Sequence, residues 1–353
     1  EIASCLVGSE MCIRDRCLLI NRNKIINNDG GMTMKSIAVL TSGGDAPGMN
    51  PAVRAVVRTA CQRGIKVYGV DRGYTGLING DIHEMNLRSV SDIITRGGTI
   101  LYSARCPEFK TEEGLQKAVA TCKKFGIDGM VIIGGDGSFR GARDLSLRGI
   151  PCIGLPGTID NDISCTDYTI GYDTCLNTIV QMVDRIRDTS ESHDRCTVVE
   201  VMGRGAGYLA LEAGIAVGAT SIIVPEVEYD IERDVIARIR EFQKTGKKHF
   251  IVIVAEGVGG TAEIAKKIEA ETGVESRATI LGHVQRGGSP TARDRIMASQ
   301  MGSRAVDLLT QGIGNRVIGI RDNKIVDFDI FEALKMTKTI DMKDYELAHE
   351  ISI

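Results

Sequence analysis

Two aspartates separated by one residue stand in the segment GTIDND, Gly157 to Asp162, which carries the most chemistry in this sequence. On an extended segment, Asp160 and Asp162 could place one carboxylate near a substrate hydroxyl and the other near a metal ion. A single Asp-x-Asp pair is also common in turns. Because two further loops with similar properties follow predicted strands, a functional interpretation is favoured.

The segments TSGGDAPG, Thr41 to Gly48, and GGDGS, Gly134 to Ser138, are those two loops. The first could direct backbone N–H groups at an anion before a helix, although it lacks the lysine of a Walker loop. The second places Asp136 directly at a strand end. An acid beside phosphate indicates a divalent cation, usually Mg²⁺ bound through one or two carboxylates and phosphate oxygens. The alternatives are a tight turn for the first loop and a capping or turn acid for Asp136.

Several cations complete the candidate site. Arg204, in MGRGAG, could meet the charge that develops on a transferred phosphoryl group. The segment HVQRGG, with Arg195 and Arg277, offers groups that could bind a phosphate on the acceptor. Glu256 could accept hydrogen bonds from sugar hydroxyls. Each of these residues could otherwise be an ordinary surface or loop charge.

Strand and helix signals alternate from Met34 onward, and they must position these loops. Such alternation predicts an α/β protein with mostly parallel sheets covered by helices on both faces. Ligands in such folds bind beyond the carboxyl ends of the strands, so the loops are expected to share a cleft. The predicted strands are Ile37–Leu40, Ile65–Val70, Met130–Ile133, Cys152–Leu155, Thr197–Met202, Ser221–Val224 and Phe250–Ala255. The predicted helices are Ala52–Arg63, Val90–Ile94, Glu112–Phe125, Thr174–Thr189, Leu209–Val217, Ile231–Lys244, Ala262–Thr272 and Thr291–Leu309.

Composition excludes several classes of protein. The chain has 353 residues and a formal charge of -3, from 43 basic and 46 acidic residues, so it offers no uniform basic field for nucleic acid. No segment approaches the roughly 18 to 20 apolar residues of a membrane helix. The 41 glycines exceed the roughly 25 expected at a usual share of about 7%, which indicates many tight turns or ligand loops. The 10 cysteines are scattered without a CxxC, which indicates reduced thiols and a cytoplasmic protein.

Residues 1–33 differ from the rest of the chain. They contain three cysteines and an Asn-rich end, and the charges near their start do not fit a secretory signal. We expect translation to begin at Met34 or Met32, and the extension to be non-native or disordered. The intact mass of the natural protein tests this expectation.

The segments TSGGDAPGMN, GGDGS, PGTIDND, MGR and GHVQRGGSP, in this order and spacing, resemble the ATP-dependent 6-phosphofructokinases of bacteria. The resemblance extends from Met34 to the C-terminus. It implies the phosphofructokinase fold, with two Rossmann-like domains, and transfer of a phosphoryl group from MgATP to the 1-hydroxyl of fructose 6-phosphate. The implied products are fructose 1,6-bisphosphate and ADP, and the implied reaction is the committed step of glycolysis. The implied ATP-binding domain comprises residues 34–171 and 285–335, and the fructose 6-phosphate domain comprises 172–284 and 336–353.

The resemblance also implies roles for individual residues. Asp160 matches the general base and Asp162 a supporting acid, while Thr158 and Arg204 match groups that stabilise the moving phosphoryl. Asp136 matches the Mg²⁺ ligand. The ATP site matches Gly44, Arg105, Cys106, Gly135, Asp136, Gly137 and Ser138. The substrate site matches Thr158, Ile159, Asp160, Arg195, Met202, Gly203, Arg204, Glu256, Arg277, His283, Val284, Gln285 and Arg286.

Subunit assembly and phosphoryl donor follow from the same resemblance. Arg195 and Arg277 match arginines lent across a subunit interface, which implies a homotetramer with shared active sites. In pyrophosphate-using relatives a second acid follows GGD and a lysine precedes TIDND, whereas this chain has Gly137 and Gly157. ATP is therefore favoured over pyrophosphate as the donor.

An effector site for ADP or phosphoenolpyruvate is implied between subunits. This chain has a leucine, Leu87, and two threonines, Thr220 and Thr245, where the family usually has effector-site arginines or a metal-binding glutamate. Loss of about three charge-assisted contacts, each worth roughly 1.5 to 3 kcal/mol, predicts weak or altered effector control. The matching cationic positions are Arg54, Arg58, Arg187, Lys247, Lys248 and His249.

Three other functions are compatible with parts of this sequence. A pyrophosphate-dependent phosphofructokinase differs in the donor, and a nucleoside or lipid kinase sharing GGDG would not explain PGTIDND or HVQRGG. A catalytically silent, nucleotide-binding regulatory subunit is disfavoured by the intact Asp136, Asp160, Asp162 and Arg204.

Overall fold

The larger of two sheets contains seven strands in the order β11-β10-β5-β4-β1-β2-β3. The structure is a computed structural model that describes residues 34–352, so the expectation for residues 1–33 lies outside the described residues. The inner strands are parallel, and the edge strands β3 and β11 pair antiparallel to their neighbours. The strands are β1 (Ser36–Thr41), β2 (Lys66–Val70), β3 (Ile82–Met85), β4 (Gly129–Gly134), β5 (Cys152–Pro156), β10 (Arg316–Arg321) and β11 (Lys324–Asp329).

The smaller sheet contains four parallel strands in the order β7-β8-β6-β9. Every residue of its central strand β8 is buried, as expected for a parallel strand covered on both faces. The strands are β6 (Cys196–Val201), β7 (Ser221–Ile223), β8 (Phe250–Ala255) and β9 (Ser276–Ile280).

Helices connect the strands and cover both sheets. The α-helices are α1 (Met49–Gln62), α2 (Gly73–Asn79), α3 (Glu112–Phe125), α4 (Asp136–Ser146), α5 (Tyr172–Ser192), α6 (Tyr208–Ala216), α7 (Ala237–Lys244), α8 (Thr261–Thr272), α9 (Ala292–Thr310), α10 (Ile330–Ala333) and α11 (Met342–Glu350). Where α1 and α9 pack together, Gly302 permits the close approach, because a Cβ there would lie 2.8 Å from the Ala52 carbonyl oxygen.

The alternating α/β architecture predicted from the sequence is confirmed, but two of its predicted helices need correction. Val90–Ile94 forms turns. Just before it, the Asn86 side chain accepts hydrogen bonds from the backbone of Arg88 and Ser89, and Asp92 has a φ of 57°. Local side-chain bonding of this kind competes with a helix. The predicted helix Ile231–Lys244 is not a regular α-helix throughout: a π-helical turn at Glu232–Ile236 precedes α7.

Two other sequence predictions concern cysteines and membrane helices. The seven cysteines between residues 34 and 352 are free thiols, as expected. Within the same residues, no helix is both long and apolar enough to cross a membrane.

Buried Asp294, on α9, connects this helix to the start of α5, next to the candidate site. Its carboxylate accepts hydrogen bonds from the backbone N–H groups of Gly171 and Thr174, at 2.8 and 2.9 Å. These groups lie at the start of α5, where the helix dipole favours a negative charge. The contact therefore fixes α5 immediately after the loop that carries Asp160 and Asp162.

Candidate active site

The GTIDND loop leaves the end of β5 and folds back on residues 167–169. Asn161 has a φ of 52°, in the left-handed region that asparagine tolerates. Its side chain accepts a hydrogen bond from the Thr169 N–H and donates one to the Asp167 carbonyl, both at 3.1 Å. Because Asn161 is anchored in this way, the backbone on both sides of it is fixed, and with it Asp160 and Asp162.

The carboxylate of Asp160 is buried, and its Oδ1 atom has no hydrogen-bond partner among residues 34–352. Burial raises the pKa of Asp160, and the nearby charge of Asp162 raises it further. The positive charges of Arg286 and Arg204 act in the opposite direction. A buried carboxylate with a free oxygen and nearby arginines is suited to accept a proton from a bound substrate.

Asp136 and Asp162 line the same small cavity, of about 40 Å³. Burial raises the pKa of Asp162, and the negative charge of Asp136 also raises it. Asp136 begins α4 and forms an ion pair with Arg140, one turn along the helix, at 2.9 Å. The two acidic motifs of the sequence thus meet at the strand ends, as predicted.

These two carboxylates fit a divalent cation that arrives with phosphate groups. Among residues 34–352, no group of three or more His, Cys, Asp or Glu side chains could hold a metal ion alone. Mg²⁺ characteristically takes one or two carboxylates and completes its shell with water and substrate phosphates. The chemistry of the two acids therefore matches a shared metal and substrate site better than a permanent metal site.

The first glycine-rich loop packs against the GGDGS loop. The Ser138 hydroxyl donates a hydrogen bond to the Ser42 carbonyl at 3.3 Å. A Cβ at Gly134 would lie 2.4 Å from the same carbonyl oxygen, so the close approach requires glycine there. At Gly137, by contrast, a Cβ would have no atom within 4 Å among residues 34–352 outside its own helix turn.

Arg286 brings the HVQRGG segment to the first loop. Its guanidinium donates a hydrogen bond to the Asp45 carbonyl at 3.2 Å. It also lies beside Gly44, where a Cβ would be 2.6 Å from Nη1 of Arg286. Arg286 therefore lies between a predicted ATP loop and the buried Asp160.

The MGR segment is held by two side chains from other loops. Oε1 of Gln285 accepts a hydrogen bond from the Met202 N–H at 3.0 Å, and Nε2 of Gln285 donates to the Gly282 carbonyl. Gln285 is fully buried, so its amide group is used within the protein. The Arg204 N–H donates to the carboxylate of Glu256, and the Arg204 side chain is exposed.

The remaining predicted ligand residues differ in exposure. Ile159 is part of the core, Cys106 is half-buried, and Gly203 is buried with a φ of 143°. Arg105, His283 and Val284 are exposed.

Arg195 and Arg277 are not brought to this site by their own chain. Both form ion pairs with Glu275, at 2.9 and 2.6 Å, beside the first residues of β6 and β9. Arg204 follows the opposite end of β6. Six residues of strand span roughly 20 Å, so these arginines cannot reach the substrate of their own chain without a large rearrangement.

The predicted effector residues lie apart from the acidic loops. Arg187 donates a hydrogen bond to the Val217 carbonyl, and the ammonium of Lys247 lies 5.0 Å from the centre of the Phe242 ring. Burial lowers the pKa of Lys247, and Arg187 lowers it further. Lys248 lies 3.7 Å from Asp194, while Thr220 is buried.

Two further predicted effector residues, Arg54 and Arg58, are near neighbours on α1. Burial lowers the pKa of Arg54, and the charge of Arg58 lowers it further. His249 is half-buried directly before β8.

Two residues at the site were missed by the sequence interpretation. The Tyr74 hydroxyl donates a hydrogen bond to the Ser138 carbonyl at 2.6 Å, beneath the GGDGS loop. Lys338 donates to the Asn161 carbonyl between the two aspartates. Neither residue stands in a motif, and only the tertiary structure brings them to these loops.

The raised pKa of Asp160 leads to a prediction about pH. We expect Asp162→Asn to lower the pKa of Asp160, because it removes a nearby negative charge. The base must be ionised to act, so the acid limb of the residual kcat/KM profile should move to lower pH. The measurement is a pH–rate profile of both proteins. An acid limb that stays in place or rises would contradict the prediction.

The fold and the site define the class of protein: an α/β enzyme that handles phosphate groups at the strand ends. The family model described as phosphofructokinase matches residues 36–309, and the chain belongs to this family. The ATP-dependent 6-phosphofructokinase of Bacillus subtilis (strain 168) is 57% identical over 320 residues, which cover 91% of this chain and 100% of that protein.

Solved structures agree on the fold. Phosphofructokinase from Saccharomyces cerevisiae superposes with a TM-score of 0.80 at 37% identity, covering 90% of this chain and 48% of the yeast chain. A pyrophosphate-dependent phosphofructokinase from Marinobacter aquaeolei has a TM-score of 0.78 at 22% identity, covering 88% of this chain and 86% of that chain. At that identity, the second comparison bears on the fold alone.

Proposed function

We propose that this chain transfers the γ-phosphoryl group of ATP to the 1-hydroxyl of fructose 6-phosphate, giving fructose 1,6-bisphosphate and ADP. The observation that carries the proposal is the buried carboxylate of Asp160, close to Arg204 and Arg286, with one oxygen that the described part of the chain leaves without a hydrogen-bond partner. Full-length similarity to the Bacillus subtilis protein, named an ATP-dependent 6-phosphofructokinase, supports the same reaction.

The proposed mechanism assigns proton transfer to Asp160. Its carboxylate accepts the proton of the sugar hydroxyl while that oxygen attacks the γ-phosphorus and ADP departs. Arg204 and Thr158 would stabilise the charge on the moving phosphoryl. Mg²⁺, when bound, neutralises charge on the transferred and leaving phosphates, and Asp136 with Asp162 would hold it.

We propose ATP rather than pyrophosphate as the donor. Gly137 and Gly157 stand where pyrophosphate-using relatives carry an acid and a lysine. The space beside Gly137 leaves room for the α-phosphate of a nucleotide.

The wider assignments are also proposals. We assign ATP to residues 34–171 and 285–335, and fructose 6-phosphate to 172–284 and 336–353; the position of the two sheets supports this division. The distance of Arg195 and Arg277 from their own acidic loops supports an assembly in which they serve a neighbouring subunit, and we propose that this assembly is the homotetramer implied by the sequence resemblance. Sedimentation of the purified protein tests the assembly.

From the proposed glycolytic role we infer that the enzyme acts in the cytoplasm.

A coupled assay of fructose 1,6-bisphosphate formation tests the function. We expect turnover with fructose 6-phosphate, Mg²⁺ and ATP, and little with pyrophosphate. Turnover with pyrophosphate alone would overturn the donor assignment. A folded protein that is inactive with both donors would indicate a silent regulatory subunit.

We predict weak or altered control by ADP and phosphoenolpyruvate. Threonine has no carboxylate to bind a metal ion, and Thr220 is moreover buried, with its N–H bonded to the Ile251 carbonyl at 2.7 Å. Leu87 is exposed but carries no charge. Saturation curves for fructose 6-phosphate, measured with each effector, check this prediction. A strong shift at low effector concentration would contradict it.

A further inference from the structure

Lys338 lies in the segment between α10 and α11, far along the chain from every motif of the site. Its ammonium group donates hydrogen bonds to the Asn161 carbonyl at 2.9 Å and to the Asp167 carbonyl at 3.3 Å. The Asn161 carbonyl lies between Asp160 and Asp162 in the chain. Lys338 thus holds the peptide group that joins Asn161 to Asp162, one residue after Asp160.

The contact closes a small network. The Asp167 carbonyl accepts hydrogen bonds from both Lys338 and the Asn161 side chain. Asn161 has a left-handed backbone, and its side-chain hydrogen bonds to Asp167 and Thr169 hold that conformation. Lys338 therefore joins Asn161 and Asp167, the two ends of this turn, through their carbonyl oxygens.

The surroundings of Lys338 keep its ammonium in place. The group lies 4.7 Å from the centre of the Tyr208 ring, at the start of α6. Nearby Ile340 is buried in the core and anchors the segment that carries the lysine. Burial lowers the pKa of Lys338 to about 8, while acidic groups attract the ammonium: Asp167 and Asp162 in the loop between β5 and α5, and Glu212 on α6.

We propose that Lys338 is a positioning residue for phosphoryl transfer, which holds the backbone between Asp160 and Asp162 in its reactive geometry. This inference rests on the proposed function. Lys338 touches backbone oxygens of the loop, so it acts through the two aspartates.

The test compares Lys338→Met, Lys338→Arg and the control Lys335→Met, a change at an exposed lysine three residues away. A small displacement of catalytic groups can cost about 100-fold, so we expect Lys338→Met to lower kcat by roughly 10- to 100-fold with KM nearly unchanged. Lys338→Arg should restore part of kcat.

Hydrogen exchange separates this inference from the function itself. In Lys338→Met, peptides covering residues 158–170 should exchange faster than in the wild type and in Lys335→Met, whether or not the protein turns over the sugar. Unchanged exchange in a folded Lys338→Met protein would overturn the positioning role. A loss of kcat that Lys338→Arg does not restore even in part would also overturn it.

Discussion

Replacing Asp160 with serine should lower kcat by about 100- to 10,000-fold, the usual contribution of a positioned general base. The carboxylate is buried and its Oδ1 atom has no hydrogen-bond partner within residues 34–352, whereas serine offers no base of comparable strength. KM for fructose 6-phosphate should change little, because the proton is accepted only as the reaction proceeds. Steady-state kinetics with both substrates varied measure the two parameters.

A matched control for this change is Asp184→Ser, at an exposed aspartate on α5. It should leave kcat within about twofold, since surface changes rarely exceed ±0.5 kcal/mol. Thermal unfolding establishes that both variants fold. Near-normal turnover of Asp160→Ser would remove Asp160 from the role of base.

Much of the scaffold could be predicted from local patterns. Strand β8 reads as one uninterrupted apolar run because both of its faces are buried, and its bounds are those predicted. The edge strands were harder to predict. β9 and β11 contain exposed or half-buried residues throughout most of their length, so they carry no clear hydrophobic signal.

The site shows the same division between local and tertiary information. Asp136, Asp160 and Asp162 stand in motifs at strand ends, where an α/β fold collects them. Lys338 stands in the unpatterned segment KMTKTID, and nothing local indicates that it reaches the Asn161 carbonyl. Gln285 stands in a motif, but its full burial could be read only from the structure.

Replacing Gly137 with aspartate should lower ATP-dependent kcat/KM by about 100- to 1,000-fold, since two unit charges about 4 Å apart repel by about 4 kcal/mol at an effective dielectric constant of 20. The new carboxylate would face the α-phosphate of the donor. The fold should tolerate the side chain, because a Cβ at Gly137 has open space around it. Aspartate in the first turn of α4 also suits the helix dipole.

Gly137→Asn separates charge from size, because asparagine has nearly the same volume as aspartate and no charge. If repulsion of the α-phosphate decides donor choice, the asparagine variant should keep most of its ATP-dependent activity while the aspartate variant loses it. Pyrophosphate should remain a poor donor for both variants, because Gly157 still lacks the lysine of pyrophosphate-using relatives. Coupled assays with both donors measure these outcomes. Equal losses in the two variants would instead indicate that the nucleotide needs the space beside Gly137, and the electrostatic explanation of donor choice would be wrong.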